Sequence, residues 1–180
     1  EVYDPRKDSW ETRAPIPIKV SGYALADFEG QMFLFGGWNG EKALDRVFIY
    51  DPNDDAWREG TPMPTARAYA GAAEAGGKIY VVGGWDGEGK SDFVYSFIPS
   101  FEYFKEANWI KLNNLPEKLS PSKVISISDF IFIPGTSGVW QFSNNINIWN
   151  LLNNSKQFNS TYDYGVVSSL GAIYFFGGIR

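Results

Sequence analysis

Cysteine and histidine are both missing from the 180 residues. Without cysteine there is no disulfide, no thiolate nucleophile and no thiolate metal site. Without histidine the chain lacks the commonest general base and the commonest transition-metal ligand. Ser-His-Asp and Cys-His chemistry is therefore impossible within the chain, and a catalytic site would have to rest on Asp, Glu, Lys, Tyr or Ser. Long apolar runs are missing as well. Stretches such as Met32–Phe35 and Ile79–Val82 fall far short of the ~20 residues of a membrane-spanning helix. There is no surplus of positive charge either: the net charge is −5, which speaks against a nucleic-acid partner. The first residue is Glu1 rather than Met, so the natural N-terminus is expected to lie outside these residues. No signal peptide is visible.

Aromatic residues, by contrast, make up 17% of the chain, with 7 Trp beside 19 Gly and 10 Pro. This combination predicts an all-β protein with many tight turns. The turns fall at regular intervals. An apolar strand runs into Gly-Gly at Gly36-Gly37, Gly83-Gly84 and Gly177-Gly178, with a degraded copy at Pro134-Gly135. The first members of these pairs are 47, 51 and 43 residues apart. Trp10, Trp57, Trp109 and Trp149 move in phase, preceding the pairs by 26, 26, 25 and 28 residues. Tyr3, Tyr50 and Phe142 lie seven residues before their Trp. Phe97 takes that place in the remaining copy, with about five residues inserted before Trp109, by the repeat logic of solenoids and propellers.

These landmarks resemble the kelch repeat, most strongly over residues 1–98. The resemblance implies an all-β, kelch-type β-propeller in which each repeat of ~50 residues forms one four-stranded blade. The residues make sense as a blade on their own terms. Tyr69–Ala75 is small and apolar, as suits an innermost strand near a central channel. Gly76-Gly77 supplies a two-residue hairpin turn, and Lys78–Val82 follows as a strand buried on both faces. Gly83-Gly84 permits torsions or close approach that a Cβ would block. Val47–Tyr50 is the third strand. Trp57 lies on the outermost strand and is expected to pack between blades. Pro134 cannot take a positive φ, so the corner there must differ.

About four repeats result. Whole blades are expected at 20–59, 67–112 and 123–152, with an outer half-blade at 1–12 and an inner one at 164–178. The halves either pair with each other and close a four-bladed ring, or belong to a longer propeller. Both ends fall within repeats, which favours a fragment of a larger propeller. Composition changes along the chain. Residues 1–98 carry 16 acidic and 10 basic side chains and 2 Asn, whereas residues 99–180 carry 5 acidic, 6 basic and 10 Asn. The Trp109, Phe142 and Trp149 spacing reads as divergent repeats rather than a second domain.

The resemblance also implies where a ligand sits. In kelch propellers one face is built from the loops after Gly-Gly and the loops entering the innermost strand. Here the first set is 38–45, 85–92 and 136–138; the second is roughly 13–21, 60–67, 113–123 and 153–164. Candidate binding residues on this face are Trp38, Asn39, Glu41, Lys42, Arg67, Trp85, Asp86, Glu88 and Lys90. Trp is enriched at binding hot spots and also stacks on sugar rings; the competing reading is that Trp38 and Trp85 shield their turns. Arg67 could hold a carboxylate in a bidentate pair or bond loop carbonyls between blades. The structural repeat residues are Trp10, Gly36, Gly37, Trp57, Gly83, Gly84, Trp109, Trp149, Gly177 and Gly178.

No metal or cofactor is expected. The acidic turn Asp51–Asp55 lacks the spacing and terminal Glu of an EF-hand and reads as a hairpin turn with Asx hydrogen bonds. Asn153 and Asn159 open glycosylation-type triplets. The function expected from the resemblance is non-catalytic protein–protein recognition. Some relatives sit behind BTB and BACK domains and select ubiquitin-ligase substrates, and others bind actin; neither helical domain is present in these residues. The alternative is a carbohydrate-binding or sugar-epimerase-like propeller, which would need acids and Arg67 converging in the channel. Kelch-type copper oxidases need His ligands and a Cys-linked Tyr, which this chain lacks.

Overall fold

The structure, a computed structural model, describes residues 1–99, 109–119, 123–152 and 162–179. Three four-stranded antiparallel sheets make three blades. The first contains β3 (Ala24–Phe28), β4 (Gln31–Phe35), β5 (Val47–Asp51) and β6 (Ala56–Gly60). The second contains β7 (Gly71–Ala75), β8 (Lys78–Val82), β9 (Val94–Phe97) and β10 (Trp109–Lys111). The third contains β11 (Ile125–Ile127), β12 (Phe130–Gly135), β13 (Gly138–Ser143) and β14 (Ile148–Leu151). Two hairpins flank them: β1 (Val2–Asp4) with β2 (Ser9–Glu11), and β15 (Tyr162–Ser169) with β16 (Ala172–Ile179). Among the described residues these hairpins are separate two-stranded sheets. The innermost strands β3, β7, β11 and β15 follow one another as neighbours, so the blades are arranged as an incomplete propeller.

The core lies between blades, because a middle strand alternates its side chains towards two neighbours. Ile79 and Val81 of β8 join Phe33, Phe35, Val47 and Ile49 of the first blade. Tyr80 and Val82 of the same strand join Ile131, Ile133 and Phe142 of the third. A smaller cluster of Ile125, Phe132 and Val139 meets Val166, Ile173 and Phe175. Each fully buried side chain of this size contributes about 1.5–3 kcal/mol. The Tyr80 hydroxyl has no hydrogen-bond partner among the described residues, and burial pushes its phenol up to about 12.

The seven-residue spacing is a hairpin register. Tyr3 faces Trp10, Tyr50 faces Trp57, Phe97 faces Trp109 and Phe142 faces Trp149 across their strands. The four ring pairs lie 5.1, 5.1, 4.7 and 4.8 Å apart. The outer Trp then reaches back to the preceding unit. Indole N–H groups donate from Trp57 to the Ala14 carbonyl at 3.0 Å, Trp109 to Thr61 at 3.2 Å and Trp149 to Asn113 at 3.1 Å. Among the described residues, two of these clasps are seen closed from the other side. The Ala14 N–H donates to Asp55 at 2.9 Å and the Asn113 N–H to Asn147 at 3.0 Å. Asp55 and Asn147 both sit at positive φ, 48° and 54°, a conformation Asn and Asp tolerate better than most residues. Hydrogen bonds from the Tyr50 hydroxyl and the Ala14 N–H hold the Asp55 carboxyl below its ordinary range. Trp10 is 68% exposed.

Several local expectations meet the structure with changes. Gly76-Gly77 is the two-residue turn between Ala75 and Lys78, and the Asn53 N–H closes an Asx bond on Asp51 at 2.9 Å. The innermost strand of the second blade begins only at Gly71. Tyr69 lies outside it at φ +55°, and its N–H donates to Gly22. Gly177-Gly178 does not end its strand, because β15 stays paired alongside as far as Tyr162. The triplets at 153–155 and 159–161, and the insertion before Trp109, lie outside the described residues.

Candidate binding face

Two Gly-Gly corners set the geometry of the face. Gly36 and Gly37 have φ of 61° and 106°, and Gly83 and Gly84 have 62° and 95°. A Cβ on Gly36 would lie 2.3 Å from the Arg67 carbonyl oxygen, and one on Gly84 would lie 2.8 Å from that of Ala68. Only glycine fits such torsions and approaches. The corners hold neighbouring blades together: the Gly37 N–H donates to the Arg67 carbonyl at 2.7 Å and the Gly84 N–H to that of Leu119 at 2.9 Å.

Each corner throws out a loop whose backbone is tied down. Trp38 exchanges two hydrogen bonds with Ser21, at 2.7 and 2.9 Å, and Trp85 does the same with Ala68. The Asn39 side-chain oxygen accepts from the N–H groups of Glu41 and Lys42 at 3.0 and 2.8 Å. Asp86 accepts from Glu88 and Gly89, both at 3.0 Å. The Gly89 and Glu88 N–H groups hold the Asp86 carboxyl below its ordinary range. Asn39 and Asp86 are thereby spent on shaping their turns. Glu41, Lys42, Glu88 and Lys90 are exposed.

The two fixed loops bring the Trp rings together. The Trp38 and Trp85 centroids are 5.3 Å apart with the planes at 61°. Tyr69, 50% exposed, supplies a third ring. Gly22 makes room for it, since a Cβ there would lie 2.5 Å from the Tyr69 ring. Trp38, Tyr69, Trp85 and Lys90 line a cleft of about 400 Å³, within the size range of small-ligand pockets. Tyr69 is the residue sequence reasoning assigned to a strand. Its visible signal was a large aromatic side chain opening an otherwise Ala- and Gly-rich segment.

Arg67 lies elsewhere. It is only 2% exposed, donating to the Gly83 carbonyl at 3.1 Å and to the Thr65 hydroxyl at 2.8 Å. Its guanidinium stacks 5.0 Å from the Phe93 ring centroid. Burial lowers its pKa, with Tyr95 and Asp86 opposing, yet an arginine stays charged in a protein. A second depression, about 340 Å³, lies among the innermost strands and is lined by Tyr23, Leu25, Ala72, Lys123 and neighbouring backbone. Among the described residues no group of three metal-ligating side chains gathers.

The third blade lacks a comparable loop. β12 runs through Pro134-Gly135 and turns at once at Thr136-Ser137 into β13. Glu117 caps this turn. It accepts from the Thr136 hydroxyl and N–H, from the Ser137 N–H and, at 2.6 Å, from the Trp140 indole. Burial raises the Glu117 pKa, and these bonds outweigh it, leaving the carboxyl below its ordinary range.

Comparison with known proteins agrees with this architecture. The kelch motif matches residues 20–64 and 66–115. A solved structure titled "Structure of YjhT" superposes with a TM-score of 0.78 at 20% identity, covering 94% of this chain. The chain spans 63% of that structure's length. No curated protein matches the sequence.

Proposed function

Because the chain belongs to the kelch-motif family, whose propellers commonly serve protein binding, we propose that it is a non-catalytic module that captures a protein partner. The partner meets the loop face carrying Trp38 and Trp85. The observation that carries this reading is the cleft built by two rigid loops from neighbouring blades, lined by two half-buried Trp rings and the exposed Tyr69. Large rigid aromatics provide contact area at low entropic cost, which is why they dominate binding hot spots. Exposed Glu41, Lys42, Glu88 and Lys90 would form the polar rim around them. A sugar-epimerase reading finds less support. Arg67 is spent on Gly83 and Thr65, and the depression at the innermost strands is lined without a carboxylate among the described residues.

The test is the full-length protein carrying Trp38→Ala together with Trp85→Ala. Partner recovery from a lysate of the source cells should fall at least about tenfold, the loss of a hot-spot pair. The melting temperature should stay nearly unchanged. A large drop in melting temperature with recovery intact would return both Trp residues to a purely structural role.

A further inference from the structure

Six of the seven tryptophans, all but Trp10, divide by what their indole N–H groups do. Those of Trp57, Trp109, Trp140 and Trp149 donate to Ala14, Thr61, Glu117 and Asn113. Among the described residues, those of Trp38 and Trp85 find no acceptor, although their own backbone groups are fully paired. The Tyr69 hydroxyl and the Lys90 ammonium, on the same cleft, are likewise without a protein partner among the described residues. Acceptors beside the Trp residues are engaged: the carbonyl oxygens of Trp38 and Trp85 by Ser21 and Ala68, and Asn39 Oδ1 and Asp86 Oδ1 by their turns. The side chains that line the cleft therefore present aromatic faces and hydrogen-bond donors, with the Tyr69 hydroxyl as their one acceptor, and the carboxylates of Glu41 and Glu88 stand outside the lining.

A ligand complementary to it has apolar rings or flat apolar edges and carries acceptors without donors of its own. Peptide segments normally bring one N–H for each carbonyl, and burying those N–H groups here would leave them unsatisfied, at a cost of about 1–3 kcal/mol each. Proline removes that cost, because it has a carbonyl and no N–H. A proline-rich segment in the polyproline II conformation leaves its carbonyls fully solvated and free to accept. Its pyrrolidine rings pack on aromatic surfaces, and its preformed backbone lowers the entropy of binding. Sugars, by contrast, bring a donor with every hydroxyl.

We propose that the Trp38–Tyr69–Trp85–Lys90 cleft binds a proline-rich segment of the partner, with the two indole N–H groups donating to its carbonyls. The proposal rests on the reading of this face as a protein-recognition surface and names what that surface recognises.

The probe is a polyproline peptide of about ten residues, titrated into ¹⁵N-labelled full-length protein. A glycine–alanine peptide of equal length and a neutral oligosaccharide serve as controls. The indole N–H resonances of Trp38 and Trp85 should shift saturably with polyproline alone, while those of Trp57, Trp109 and Trp149 stay in place. Trp38→Phe with Trp85→Phe keeps ring surface and removes both donors. With an unchanged melting temperature it should weaken the peptide about tenfold, one hydrogen-bond equivalent or more. No shift at millimolar polyproline, an equal response to the glycine–alanine peptide, or an unweakened Phe variant would each overturn the proposal. A response to the oligosaccharide instead would make the cleft a sugar site. If polyproline is silent while the alanine pair still abolishes partner recovery, the ligand class fails and the recognition face stands. If polyproline binds while partner recovery ignores the alanine pair, the face is not the one the partner uses.

Discussion

After β4 and β8 the chain leaves its blade through a Gly-Gly corner and forms a long loop carrying a Trp. After β12 it turns straight back at Thr136-Ser137. The outer half of all three blades is nevertheless the same: an aromatic residue opposite a Trp, whose indole reaches the preceding unit. The clasp is scaffold and recurs wherever a preceding unit exists. The corner is where blades diverge, and a loop held by a rigid corner is where binding residues concentrate. The third blade gives up that loop and spends Glu117 on stapling the short turn.

The largest expected effect tests the shared part. Trp109 packs on Phe35, Tyr95 and Phe97, so Trp109→Ala should cost about 3–5 kcal/mol in urea unfolding. Trp149 packs on Phe142 and makes the same backbone clasp, so Trp149→Ala should cost about 2 kcal/mol. A neutral Trp149→Ala would show that the third blade does not share the clasp. The corners come next. Gly36→Ala combines a positive φ with a Cβ 2.3 Å from a carbonyl oxygen and should cost about 3 kcal/mol. Pro134→Ala, at the corresponding point of the third blade, should cost about 1 kcal/mol. Equal losses from the two would mean that the corners do not differ in mechanical role.

The smallest effect concerns Glu117. A carboxyl whose folded pKa is depressed adds stability that is present above its unfolded value of about 4.3. That stability is lost as the pH falls through the folded value. Glu117→Gln should therefore lower the urea midpoint by an amount equivalent to about 1 kcal/mol near neutral pH. The difference from wild type should close as the solution is acidified below that window. A gap that persists unchanged in acid would assign the effect to packing rather than to the carboxylate.

Much of this was legible in the sequence because it depends on local rules. A seven-residue step from Tyr50 to Trp57 around an Asp-Pro turn is a hairpin register, and Gly-Gly after an apolar strand marks a torsion only glycine adopts easily. The departures depend on contacts far apart in the chain. Tyr69 leaves the strand pattern because Gly22, 47 residues earlier, accepts its N–H and makes room for its ring. Arg67 is drawn inward by the Gly83 carbonyl and the Phe93 ring. Glu117 finds its partners only once β12 and β13 form their turn. The cleft was half visible: Trp38 and Trp85 stood out in matching loops, but nothing in the spacing brought Tyr69 beside them.

The most direct measurement of the central claim is a hydrogen–deuterium exchange footprint of the full-length protein with and without its bound partner. The account predicts slowed exchange in residues 38–45 and 85–92, with the 136–138 turn unchanged. Protection confined to the 136–138 turn or to the outer strands β6 and β10, with both Trp loops unaffected, would contradict it.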